Sequence, residues 1–145
     1  MKILTNKEIS FSRFGDVMAL VQESLNTHAL KSDLDPQGAA MVLAGAMAAG
    51  GNVCLMVAES DEGNFRGILL GAVMMNPLQG CQVSNAQLVA AFGDNQKATI
   101  KLMCDGFFAW SKAAGAKEVH ITLTQDHEID GMEKAGVTYA RKVEV

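Results

Sequence analysis

The sequence predicts a mixed α/β fold in which helices cover a β-sheet. Its 145 residues are close to the usual size of one domain, and 49% of them are hydrophobic, which is enough to build an ordinary core. Apolar residues recur at helical spacing in some segments and form strand-like runs in others. These segments follow each other in the order β-α-α-β-β-β-α-β-α-β. One mixed α/β domain over residues 1–145 is therefore expected.

The first third of the chain predicts a strand and two helices. Residues 2–6 have the composition of a short strand. The first helix is indicated by four apolar residues at helical spacing, Val17, Leu20, Val21 and Leu25. Asp35 and Pro36 are typical of the N-cap and first position of a second helix, and Gly50 and Gly51 predict its end.

Three strands are expected in the middle of the chain. Two apolar runs, residues 52–60 and 67–76, are joined by a connection of hairpin length that contains Gly and Asn. This pattern predicts a β-hairpin. Pro77 ends the second run, residues 78–85 are predicted to form a turn or an irregular strand, and residues 86–92 a third short strand.

A longer amphipathic helix is predicted to begin near Asn95. Its buried face is indicated by residues at steps of 3 and 4, namely Ile100, Met103, Phe107, Trp110 and Ala114. Gly115 ends this helix, and residues 117–124 alternate like a strand. A short helix over residues 127–135 and a last strand over residues 137–145 complete the predicted order.

The net charge and the cysteines indicate which partner and which cellular compartment to expect. The net charge is −4 and no segment carries a run of Lys or Arg, so nucleic acid is not an expected partner. Cys54, Cys81 and Cys104 are odd in number and lie in apolar surroundings, as free thiols do in a reducing compartment. We therefore expect a cytoplasmic protein.

Residues 38–58 have the length and apolar composition of a membrane-spanning segment. Their single polar side chain is that of Asn52. Its first part is rich in Ala and Gly rather than Leu and Ile, and the two glycines before Asn52 stop a helix there. No membrane association is expected.

Three segments resemble the GNAT superfamily of acetyl-coenzyme A dependent N-acetyltransferases. VAESDEGNFRGILLGAV, residues 57–73, is similar to the central hairpin of that family. GFFAWSKAAGAKEVHITLT, residues 106–124, resembles its third helix and the strand that follows. MEKAGV, residues 132–137, resembles its closing segment. The resemblance covers essentially the whole chain and implies that acetyl-CoA binds between two splayed strands, residues 86–92 and 118–124.

The resemblance also implies a diphosphate-binding loop at the start of the third helix. Counting back from Trp110 places the family pattern Arg-x-x-Gly-x-Gly/Ala on residues 95–100, where Ala98 and Ile100 occupy the glycine positions. Main-chain amides remain available there, so the loop is compatible with weakened acetyl-CoA binding and also with its loss. Lys97 or Lys101 would compensate by pairing with a phosphate. The candidate cofactor-binding residues are Ala90, Phe92, Gln96, Lys97, Ala98, Thr99, Ile100 and Lys101.

Catalysis in this family requires a base for the attacking amine and a proton donor for the leaving thiolate. The family's Tyr donor corresponds to Met132, which cannot donate a proton. Tyr139 is the only tyrosine and is the candidate donor. Glu59, at the end of the first hairpin strand, is the candidate base, with Asp126 or His127 as alternatives.

Other reactive side chains have structural interpretations. Cys104 lies beside the predicted buried helix face, which favours a packed thiol over a nucleophile. His120 and His127 lack the close spacing of zinc ligands, so no metal site is expected. The nine methionines are typical of core filler and, alternatively, of a partner groove.

Two functions are compatible with these features. The first is an acetyl-CoA-dependent N-acyltransferase in which a small-molecule or peptide amine attacks the thioester directly. Its acceptor contacts would come from residues 26–35 and 78–84. The second is a catalytically inactive GNAT-like structural or interaction protein, such as a phage virion or assembly component, with a protein partner or a second copy of the chain.

Overall fold

Five strands form one mixed sheet in the computed structural model of the chain, which describes residues 1–26, 33–123, 128–129, 131–136, 139 and 141–143. The strands are β1 (Lys2–Thr5), β2 (Val53–Glu59), β3 (Phe65–Asn76), β4 (Cys81–Ala91) and β5 (Glu118–Ile121). They lie side by side in chain order, and only β4 and β5 run parallel. The predicted mixed α/β class is confirmed.

Three helices cover the two faces of this sheet. They are α1 (Phe14–Asn26), α2 (Pro36–Ala48) and α3 (Gln96–Ala113). Helices α1 and α2 pack on one face and α3 on the other. The predicted start of α2 is confirmed, since the Asp35 carboxylate accepts hydrogen bonds from the amides of Gln37 and Gly38. Gly50 and Gly51 follow α2 with positive φ, as expected at a helix end.

Strand β2 is apolar throughout because helices cover both of its faces. Leu55 and Val57 belong to the core under α1 and α2, whereas Cys54, Met56 and Ala58 belong to the core under α3. The long apolar run of residues 38–58 is thus divided between α2 and β2. Within the described ranges, no helix has the length and apolar character needed to cross a membrane.

Helix α3 lies directly on β3, where two glycines leave room for its side chains. A Cβ atom on Gly67 would lie 2.8 Å from the Thr99 methyl carbon, and one on Gly71 would lie 2.7 Å from the Phe107 ring. The two α3 side chains that face these glycines, Thr99 and Phe107, are fully buried. The position of the helix start relative to the sheet is therefore fixed by close packing.

Asn6 joins the first strand to two other elements. Its side-chain amide donates hydrogen bonds to the carbonyl oxygens of Ala46 at 2.8 Å and Val53 at 3.0 Å. Asn6 is 8% exposed. An Asn6→Ala substitution leaves both carbonyl groups without this donor, so we expect the free energy of unfolding to fall by about 2–4 kcal/mol in urea denaturation. A loss below about 0.5 kcal/mol would contradict this role.

The observed elements depart from the predictions at several boundaries and near the C-terminus. Strand β4 begins at Cys81, within the segment predicted as a turn or an irregular strand, because Cys81 to Ser84 already pair with the end of β3. Strand β5 ends at Ile121, before the predicted end at residue 124. The predicted C-terminal helix and last strand are not found among the described residues of 127–145. Gly131 has φ +78° in the middle of the predicted helix, a conformation that interrupts helical geometry.

Candidate functional site

Strands β4 and β5 are paired only over part of their length. β5 pairs with residues Val83 to Ala86, and the amide of Thr122 donates a last hydrogen bond to the Ala86 carbonyl at 2.9 Å. β4 continues to Ala91, and its residues beyond Ala86 have no ladder partner on the β5 side in the described part of the chain. The described pairing of the two strands therefore ends at Ala86.

A bulge in β4 coincides with this point. Leu70 of β3 pairs with Leu88, whereas Gly71 pairs with Ala86, so Gln87 is an extra residue in β4. Bulges bend a strand and frequently occur next to active sites. The bend in β4 and the end of its pairing with β5 therefore coincide, and the last five residues of β4 have an edge without a ladder partner in the described ranges.

The unpaired edge of β4 leads to the start of α3. The connecting residues include Gly93 at φ +75° and Asn95 at φ +59°. Asn95 is the N-cap residue but its side chain makes no capping hydrogen bond, and the first turn contains no acidic residue. The amides of the first three helical residues, Gln96, Lys97 and Ala98, have no acceptor within the helix. This end of α3 is suited to an anionic group.

Ala98 and Ile100 occupy the two positions at which the family pattern has glycine. Their side chains point in different directions. Ala98 is exposed, whereas Ile100 is 9% exposed and packs in the core beneath α3. Thr99 is fully buried and its hydroxyl donates to the Asn95 carbonyl at 3.1 Å. The bulky Ile100 side chain is therefore directed away from the exposed helix start.

The remaining predicted cofactor residues are divided between this helix end and the opposite face of the sheet. Gln96 and Lys97 are exposed in the first turn of α3. Lys101 forms an ion pair with Asp105 at 3.0 Å. Ala90 and Phe92 pack against the core under α1 and α2, so their backbone rather than their side chains lies along the unpaired edge of β4.

An open surface cavity of about 470 Å³ lies on the α1 side of the sheet. Its lining comes from one face of α1 and from the beginning of β3: Arg13, Asp16, Ala19, Leu20, Asn64, Phe65 and Arg66. The Arg13 guanidinium lies 2.6 Å from Asp16 and 3.3 Å from Glu59, and it stacks over the Phe65 ring at 3.9 Å. Sequence reasoning missed this group, because no local motif marks it.

The two predicted catalytic residues are not brought together by any contact in the described part of the chain. Glu59 is held between two cations, Lys2 at 3.4 Å and Arg13 at 3.3 Å. Tyr139 is 92% exposed. The alternatives Asp126 and His127 lie outside the described residues. Glu59 thus contacts Arg13, a residue of the cavity wall, and fixes its position.

The buried thiol of Cys104 and the surface contact between His120 and Glu118 are two further features of the structure. Burial, with a smaller effect of the Asp105 carboxylate, raises the pKa of Cys104 to about 11, so this thiol is protonated at neutral pH. His120 contacts Glu118 at 2.9 Å on the surface. The described ranges contain no cluster of three or more His, Cys, Asp or Glu side chains suited to a metal ion.

Comparison with known proteins gives similarity at the level of structure. No protein-family model matches the sequence, and no curated protein matches it. A probable acetyltransferase of known structure superposes with a TM-score of 0.71 at 10% identity, covering 100% of this chain and 98% of its own. A GNAT family acetyltransferase from Staphylococcus aureus gives 0.67 at 12% identity, with 99% and 100% coverage.

A third solved structure, glucosamine-6-phosphate N-acetyltransferase from Arabidopsis thaliana, also gives a TM-score of 0.67 at 12% identity, with 99% and 100% coverage. All three comparisons span nearly the full length of both chains. This chain therefore has the fold of the GNAT acetyltransferases.

Proposed function

We propose that the chain is an N-acetyltransferase that binds acetyl-CoA between β4 and β5. The observation that carries this proposal is the start of α3, which has no side-chain cap and follows the edge of β4 that lacks a described partner. Its free amides and Lys97 would bind the diphosphate, and the edge of β4 beyond Ala86 would bind the pantetheine arm through backbone groups. Acetyl-CoA supplies the activated acetyl group.

The chain's own groups would orient an amine for direct attack on the thioester. A new C–N bond forms, the C–S bond breaks, the amine loses a proton and the departing thiolate gains one. Known structures of this fold include an aminoglycoside acetyltransferase, which supports a small amine as acceptor.

A catalytically inactive structural or interaction protein with the same fold is the second candidate. Two observations favour it: Met132 occupies the place of the family's proton donor, and the only tyrosine, Tyr139, is exposed. This candidate predicts neither acetyl-CoA binding nor transfer.

Thermal melting with and without acetyl-CoA separates the two. If the proposed site between β4 and β5 binds the cofactor, millimolar acetyl-CoA is expected to raise the melting temperature, because a ligand at 100 times its Kd stabilises the native state by about 2.7 kcal/mol. Pantetheine, which lacks the diphosphate, serves as the control and is expected to give a much smaller shift. The absence of any shift with acetyl-CoA would favour the inactive protein.

A further inference from the structure

Three polar side chains form a hydrogen-bonded row on β5 and the turn before β4. Val119 and Ile121 pack against the core under α3, and successive residues of a strand face opposite sides of a sheet. Glu118 and His120 therefore face the side on which α1 and α2 lie. The Gln79 amide donates to one Glu118 oxygen at 2.8 Å, and the other Glu118 oxygen lies 2.9 Å from His120 Nε2. The row thus ends at the His120 imidazole.

The charge of Glu118 determines which His120 nitrogen is basic. Hydrogen bonds from His120 and Gln79 lower the pKa of Glu118, so its carboxylate is ionised at neutral pH and only accepts hydrogen bonds. The proton in the contact with His120 is therefore on Nε2, and in the neutral imidazole Nδ1 is the proton acceptor. Within the described ranges Nδ1 has no hydrogen-bond partner, and the His120 side chain is 43% exposed. His120 thus presents a basic nitrogen that a bound molecule can reach.

His120 lies beside the inner end of the unpaired edge of β4. It is paired in register with Asn85, and the next β5 residue, Ile121, pairs with Ala86, where the described ladder ends. From Ala86 to Ala91 the edge is about 17 Å long, which an extended pantetheine arm can span. With the diphosphate at the start of α3, the thioester therefore reaches Ala86. His120 is then next to the reacting carbonyl group.

We propose that His120 is the catalytic base of the transfer reaction and that Glu118 and Gln79 position it. This inference rests on the proposed function, since it assigns the proton acceptor of that reaction. As the nitrogen of a neutral amine forms its bond to the thioester carbonyl carbon, it gives a proton to His120 Nδ1. The C–S bond then breaks, and the imidazolium returns this proton to the departing sulfur. One group thus accepts and donates the proton, which removes the need for a tyrosine at the place of Met132.

Nitrogen NMR of the imidazole side chains tests the location of His120 without requiring transfer. The chain has three histidines, and the spectrum of a His120→Gln variant identifies the His120 signals. Acetyl-CoA is expected to shift these signals. ADP, which has a diphosphate but lacks the pantetheine arm, should leave them unchanged. If acetyl-CoA binds in calorimetric titration and the His120 signals do not move, His120 is not beside the thioester and the inference is overturned.

Release of CoA in the presence of propylamine, lysine or spermidine measures the catalytic role. We expect His120→Gln and His120→Ala to lower kcat about 100-fold or more while acetyl-CoA affinity and melting temperature stay at the parent values. Added imidazole should restore part of kcat in His120→Ala, which a purely structural role would not allow. Glu118→Gln should lower kcat about tenfold with little change in KM. The control Glu23→Gln removes the same charge on the exposed face of α1 and should leave kcat unchanged.

The outcomes separate this inference from the proposed function. A His120→Gln variant with the kcat of the parent chain overturns the inference and leaves the transferase assignment intact. A parent chain that binds acetyl-CoA but acetylates none of the three amines also overturns it. Failure of the proposed function has a different signature, which is the absence of acetyl-CoA binding to the parent chain.

Discussion

An Ala98→Glu variant is expected to lose at least about tenfold in affinity for acetyl-CoA while melting no lower than the parent chain. Ala98 is exposed in the first turn of α3. A carboxylate at this third helical position stabilises the helix by about 0.3–1 kcal/mol through the helix dipole. The same charge repels a diphosphate and competes for the amides. Calorimetric titration and thermal melting measure the two effects separately.

Ala109→Glu is the matched control. Ala109 is exposed on the same side of α3, eleven residues or about 16 Å further along the helix. It receives the same side chain and the same charge, and we expect its acetyl-CoA affinity to match that of the parent chain. If Ala98→Glu also retained full affinity, the diphosphate would not lie at the start of α3, and the proposed cofactor site would be wrong.

Elements with strong local signals could be predicted from the sequence. Helix α2 has Asp35 as its N-cap and Pro36 as its first residue, and it ends before two glycines, as predicted. The buried face of α3 was predicted from spacing alone, and Ile100, Met103 and Phe107 are indeed buried. Caps and apolar periodicity act within a few residues of chain, so they can be recognised without the rest of the fold.

At the C-terminal end of α3, apolar spacing alone did not predict which residues are buried. Trp110 is only partly buried and Ala114 is exposed, whereas Cys104 and Ser111 are buried. Spacing defines an apolar stripe but does not specify which strand lies beneath each turn. In this chain the glycines of β3 determine that contact, and their spacing of four residues on one face of a strand was the available signal.

Only the parts of the candidate site that depend on spacing along the chain could be predicted. The position of the α3 start followed from counting back from Trp110, but the contacts of Glu59 did not. Its partner Arg13 is 46 residues away in sequence. Such a pair arises from the packing of α1 against the sheet, which no local pattern encodes. The same is true of Gln79 and Glu118, which meet because β4 and β5 are adjacent.

A Gly71→Ala substitution is expected to lower the free energy of unfolding by about 3 kcal/mol or more. The added Cβ atom would lie 2.7 Å from the Phe107 ring and 2.9 Å from the Asn85 carbonyl oxygen. Phe107 is fully buried, so its ring has no free space to enter, and the carbonyl belongs to the backbone of β4. Urea denaturation measures the change.

Substitutions at Gly67 and Gly45 test whether the close packing of α3 on β3 causes this loss of stability. Gly67→Ala meets the Thr99 methyl carbon at 2.8 Å, so adding Thr99→Ser should recover part of its loss of stability. Gly45→Ala, in an exposed helix interior with no atom within 4 Å of the new Cβ, should instead stabilise the chain by about 0.5–1 kcal/mol. A Gly71→Ala variant as stable as the parent would mean that α3 does not lie this close to the sheet. The position of the proposed diphosphate site relative to β4 would then no longer be fixed.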